Sequence, residues 1–199
     1  MDFGWKQIWK LYGWKKLFSW NNRLFYFTVI VTLLLFCSIL ILNEKNLAYT
    51  LVKKILDVDI SILPTLLGFN LGAYALIIGF LSNKNLLEAL TDKHGTNSAT
   101  SIEEISGVFA INIITQAFTL LLAFLSQTIL VFIENINLSE KWLDILYSDM
   151  YTNSVNDIYF LLITFFTLYS IALVIQNAIN IFDFNQLFTY FSFKKQEDE

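Results

Sequence analysis

Apolar positions in this chain are gathered into four long uncharged runs, separated by segments that carry nearly all of the charge. The runs cover residues 24–42, 60–81, 108–133 and 158–182, which are 19, 22, 26 and 25 residues long. A helix needs about 20 such residues to cross the hydrocarbon core of a bilayer. Four uncharged helices of this length would leave a soluble domain too little polar surface to cover them. The pattern therefore predicts an all-α integral membrane protein, a four-transmembrane-helix bundle. Its membrane helices are expected near 24–42, 60–81, 108–133 and 158–182. An N-terminal amphipathic interfacial helix is expected over 1–22, the bundle with a cytoplasmic extension of its last helix over 23–193, and a short charged tail over 194–199.

The runs are not uniform. The first has only minor polar atoms (Thr28, Thr32, Ser38), whose hydroxyls can bond their own backbone, and it is expected to face lipid. In the second, Gly68, Gly72, Ala75 and Gly79 stand at i, i+4, i+7 and i+11, within one narrow arc. Small residues so placed let another helix backbone approach closely. Either a neighbouring helix of the same subunit or a second subunit would suit them. Asn70 points away from this stripe and needs its own partner, and Pro64 is placed in the first turn of the run, where a missing N–H is tolerated.

The third run carries the strongest polar signal. Asn112, Thr115, Gln116, Thr119, Ala123, Ser126 and Gln127 fall within roughly a third of the helix circumference. Amides facing hydrocarbon are costly, so this face must meet protein or water. It is read either as interhelical hydrogen bonding or as the lining of a narrow pore. Thr167, Ser170 and Asn177 share a face of the fourth run and are its expected counterpart. The third and fourth runs are longer than the hydrocarbon core requires, and their polar ends are expected to protrude into the cytoplasm. Helical spacing continues beyond the fourth run, where Phe184, Leu187, Phe188 and Phe191 form an apolar stripe. It suits a membrane-surface segment or docking of a partner.

Composition sharpens this picture. The chain is 56% hydrophobic and 15% charged, against about 45–50% and 25% in soluble domains. Lys6, Lys10, Lys15, Lys16, Arg23, Lys84, Lys93, Lys194 and Lys195 would lie on one side of the membrane, against Lys45, Lys53, Lys54 and Lys141 on the other. By the positive-inside rule both termini are expected to be cytoplasmic, in the plasma (inner) membrane. Ahead of the first run, Trp5, Trp9 and Tyr12 share a helical face with Lys6 and Lys10 beside it, while Trp14 and Trp20 follow out of register. Aromatic rings at headgroup level with lysines toward anionic lipid make an interfacial anchor. A docking surface for another protein is the alternative. The first run is too long for a signal-peptide core, and no small-residue cleavage site follows it.

The candidate chemistry is thin. Cys37 and His94 are each the single residue of their kind, so an internal disulfide or a His/Cys metal cluster is not expected, and Cys37 is read as a small packing residue. There is no phosphate loop, no Ser/His/Asp set and no pair of intramembrane carboxylates, so neither an enzyme nor a cofactor is expected. No charge is expected in the middle of any span, which argues against a proton pump or an ion-coupled transporter. The formal charge of −4 does not suggest direct binding of nucleic acid. Two classes remain. One is a non-enzymatic, homo-oligomeric membrane protein coupling the bilayer to a cytosolic protein partner as sensor, anchor or effector. Its architecture is analogous to the membrane subunit of a bacterial stress or phage-defence system. The alternative is a pore lined by the polar stripe of the third helix.

Overall fold

The computed structural model describes residues 22–42, 47–80, 101–135 and 149–197. These form four helices, α1 (Arg23–Leu42), α2 (Leu47–Phe80), α3 (Ser101–Asn135) and α4 (Asp149–Glu197). All four contain a stretch long and apolar enough to cross a membrane. The aromatic segment with Trp5, Lys6, Trp9, Lys10, Tyr12, Trp14 and Trp20 lies outside the described residues.

Helices α2, α3 and α4 pack on one another, and α1 lies chiefly against α4. Most of the surface of α1 is exposed, as a lipid-facing helix would require. Leu34 is 62% exposed and Ile41 82%, and Cys37 is exposed as well, so it does not pack inside the bundle. In water such a surface would drive aggregation; in a bilayer it meets acyl chains. The two threonine hydroxyls of α1 turn the other way, whereas Ser38 stays exposed. Thr28 and Thr32 are buried, and Thr28 donates to the carbonyl of Leu24 at 2.8 Å. Phe25 seats α1 on α4 through edge-to-face contacts with Phe165 and Tyr169.

Three helices are longer than their uncharged runs. On the N-terminal side the largest difference is in α2, which begins at Leu47, 13 residues before its run. An inward stripe of Ala48, Val52, Leu56, Asp59 and Leu63 continues the helical spacing of three or four into the charged segment. Packing of that stripe against Ile39, Ala123, Phe160 and Ile163 holds the extra turns in place. Pro64 is therefore not in a first turn but inside the helix. It leaves the carbonyl of Ile60 without its intrahelical donor.

Helix α4 runs for 49 residues, about 73 Å at 1.5 Å per residue. It passes through Asp183 without a break and includes residues 194–197 of the segment expected to be a separate tail. Its aromatic stripe is largely used within the chain. Phe184 is buried with Ala73, Ile77 and Phe109, and the ring centroids of Phe184 and Phe188 lie 6.2 and 4.7 Å from that of Phe80. The expected docking stripe thereby loses Phe184, and Phe188 in part. Helix α4 leaves the bundle alongside the ends of α2 and α3, so their apolar ends cover Phe184 and part of Phe188. Leu187 stays exposed, and the side chain of Phe191 lies outside the described residues.

Candidate functional site

The inward faces of α2, α3 and α4 meet along a ladder of polar side chains. Each helix supplies its share at helical spacing: Asp59 and Asn70 from α2; Asn112, Gln116, Thr119 and Ser126 from α3; Tyr159, Thr167, Ser170 and Asn177 from α4. Three or four residues, or their multiples, return a helix to the same face, so these side chains enter one shared interface. Asn112, Gln116, Thr119, Asn70, Ser170 and Asn177 are all 0% exposed.

The rungs can be followed from the Phe182 end of α4 toward Ile158. First, the side-chain amide of Asn112 donates to Asn177 Oδ1. Next, Asn70 Nδ2 donates to Gln116 Oε1 at 2.7 Å, and Gln116 Nε2 donates to the backbone carbonyl of Ser170 at 3.1 Å. Gln116 thus ties α2 and α4 to α3, and it is the partner Asn70 requires. Ser170 Oγ donates to Thr119 Oγ1 at 2.9 Å, and Thr119 donates onward to the carbonyl of Thr115 at 2.9 Å. Thr115 turns its hydroxyl to the carbonyl of Ile111.

Farther along, Thr167 Oγ1 stands 2.8 Å from Asp59 Oδ2 and 2.8 Å from the carbonyl of Ile163. The phenol of Tyr159 donates to Ser126 Oγ, which donates to the carbonyl of Leu122 at 2.7 Å. At the rim Gln127 Nε2 donates to Asp57 Oδ1 at 3.0 Å. Some buried atoms of the ladder keep no protein partner, among them Asn70 Oδ1, Asn112 Oδ1, Asn177 Nδ2 and Asp59 Oδ1.

The structure therefore joins all seven residues of the predicted polar stripe (Asn112, Thr115, Gln116, Thr119, Ser126, Gln127 and Asn177) to one interface. It adds three residues that the sequence reading missed: Asp57, Asp59 and Tyr159. Asp59 adds an ionisable side chain at a level where no charge was expected in the middle of a span. It borders the uncharged run of its own helix, yet its partner Thr167 lies nine residues, about 13 Å, inside the run of α4. The stagger between α2 and α4 brings it there. One signal was present in the sequence, since Asp59 falls on the apolar stripe formed by Ala48, Val52, Leu56 and Leu63.

The glycine stripe is placed differently. Gly68, Gly72, Ala75 and Gly79 are exposed, and a Cβ added at Gly68, Gly72 or Gly79 would meet nothing within 4 Å. Among the described residues no other helix of the same chain packs against Gly68, Gly72 or Gly79. Asn70, Ala73 and Ile77 turn inward toward α3 and α4, and the stripe faces away from them.

Among the described residues no group of His, Cys, Asp and Glu could hold a metal ion. Helices and ladder together define an all-helical protein with four apolar helices able to cross a membrane, held together inside by hydrogen bonds. No protein-family model matches the chain, and neither a curated protein nor a solved structure shows significant similarity to it.

Proposed function

We propose that this is a non-enzymatic membrane module that self-associates in the bilayer and transmits the state of its bundle to a cytosolic protein. The observation carrying this reading is the continuity of α4. One helix holds Thr167, Ser170 and Asn177 of the ladder, then Phe184 and Phe188 against the end of α2, and continues to Glu197. About 73 Å of helix exceeds the ~30 Å hydrocarbon core. A shift of α4 within the bundle therefore moves its far end as one piece.

The lysine distribution supports placing that end, and both termini, on the cytoplasmic side of the plasma membrane. The exposed face at Gly68, Gly72 and Ala75 supports a second copy as the neighbour, because lipid gains nothing from small residues whereas a helix backbone gains close approach. A sensor or effector subunit in a bacterial stress or phage-defence system would need these two properties. The alternative of a pore along α3 is less well supported. Its lining amides are engaged with α2 and α4, and they would have to release those partners before water entered.

The test is truncation after Tyr190, which keeps Phe184 and Phe188 in place, together with Leu187→Ser in the full chain. Membrane insertion and self-association should persist, while a cytosolic protein that copurifies with wild type should be lost. Retention of that partner by both variants, or single-channel currents from wild type in planar bilayers, would count against the reading.

A further inference from the structure

The hydroxyl ladder follows one rule in two of its three rungs. An O–H from one helix donates to a Ser or Thr hydroxyl of another, and that hydroxyl spends its own hydrogen on the carbonyl four residues back. Ser170 donates to Thr119 and Thr119 to the carbonyl of Thr115. Tyr159 donates to Ser126 and Ser126 to the carbonyl of Leu122. A hydroxyl has a single hydrogen to give, and in both rungs the count closes.

The third rung does not close with an ionised carboxylate. Thr167 Oγ1 lies 2.8 Å from the carbonyl of Ile163 and 2.8 Å from Asp59 Oδ2. Its one hydrogen can serve only one of them. The other contact would then press two bare oxygens together at hydrogen-bonding distance. A proton on Asp59 Oδ2 removes the conflict: Asp59 donates to Thr167, and Thr167 donates to the carbonyl of Ile163, as in the other two rungs.

From this geometry we infer that Asp59 is a proton-binding site inside the bundle, held as the neutral acid and latching α2 to α4 through Thr167. This does not rest on the function proposed above.

The surroundings agree. Asp59 is 1% exposed, and an isolated carboxylate is costly to remove from water. No cation of its own helix shares its face, because Lys53 and Lys54 stand roughly 120° and 140° around the helix from it. From α4 it faces Thr167, with the phenol of Tyr159 within electrostatic reach. At the same level α3 offers Ser126 and Gln127, neither of which titrates. The buried positions of α1 are Thr28, Thr32 and Ile39. Asp57 on α2 and Asp157 on α4 bring no cation to it. Pro64 leaves α2 one backbone bond short at Ile60, next to the carboxyl, which is where the helix can yield if the latch opens. Loss of the proton would leave a bare charge against α4 and free Thr167 to hold only one of its two acceptors.

Infrared spectroscopy of the full chain in lipid bilayers at about pH 7 tests this, since exposed carboxyls are ionised there. Wild type should show the carbonyl stretch of a protonated carboxyl. The band should be missing from Asp59→Asn, whose amide can still donate to Thr167, and shifted in Thr167→Val, which removes the acceptor. Raising the pH should abolish the band in wild type. A wild-type spectrum without a protonated-carboxyl band that either substitution alters would overturn the assignment. So would an Asp59→Asn chain that fails to insert beside a wild type lacking the band, because the fold would then require the charge.

Discussion

Gln116 is the residue on which the ladder depends most, and its replacement by leucine tests whether the polar stripe acts as glue. The substitution nearly conserves volume, so packing changes little. It removes two interhelical bonds, from Asn70 and to the carbonyl of Ser170. Each is worth about 0.6 kcal/mol on average within membranes. It also strands the Asn70 amide at a position with no exposure, and a buried polar group left without its partner costs about 1–3 kcal/mol. Gln116→Leu should therefore destabilise the bundle by about 2–4 kcal/mol. Asn70→Leu alone loses one bond and strands Gln116 Oε1, at about 2 kcal/mol by the same reasoning. The double variant strands neither amide. It should be more stable than Gln116→Leu alone, about 1 kcal/mol below wild type from the two lost bonds. Reversible unfolding in mixed lipid–detergent micelles, run as a double-mutant cycle, measures the coupling. If the two single costs add to within about 0.5 kcal/mol, the pair is not coupled and the glue account fails. If instead Gln116 lined a conducting pore, its loss would lower conductance and Asn70→Leu would not restore it.

Further outcomes follow from other parts of the molecule. Gly72→Ile meets no atom of the described residues within 4 Å of the new Cβ, so the monomer should fold as before. Self-association in bilayers should fall, and crosslinking yields equal to wild type would remove the proposed subunit contact. Phe184→Ala should cost about 3 kcal/mol or more through the lost ring in a packed cluster, whereas Leu187→Ala on the exposed side should stay within about 0.5 kcal/mol; equal melting losses would mean that α4 does not dock on Phe80 and Phe109. For topology, Cys37→Ala followed by single cysteines at Ser148 and Ser98 should give labelling by an impermeant thiol reagent at 148 in intact cells, and at 98 only after lysis. The reverse pattern would invert the orientation taken from the lysines.

The four long apolar helices were legible because a bilayer imposes a length and a polarity that a chain able to cross it must satisfy residue by residue. The polar stripe of α3 was legible for the same reason: the periodicity of one helix shows which side chains share a face, and burying amides in hydrocarbon is too costly to leave them unpaired. Pairing between helices is not written in that way. That Asn70 meets Gln116, and Asn112 meets Asn177, depends on how far α2 and α4 slide along α3. The same stagger decided the three misplacements. It carried Asp59 from the margin of its own uncharged run into the interior of its neighbour's, and it set Phe184 and Phe188 against Phe80 rather than leaving them for a partner. It also let the charged turns before residue 60 continue α2, because Ala48, Val52 and Leu56 find apolar surface on α1, α3 and α4. The glycine stripe shows the complementary limit. Its spacing determined that a close approach is available on one face of α2, but only the tertiary structure decided that this face turns outward, because Asn70, Ala73 and Ile77 on the other side fill the contact with α3 and α4.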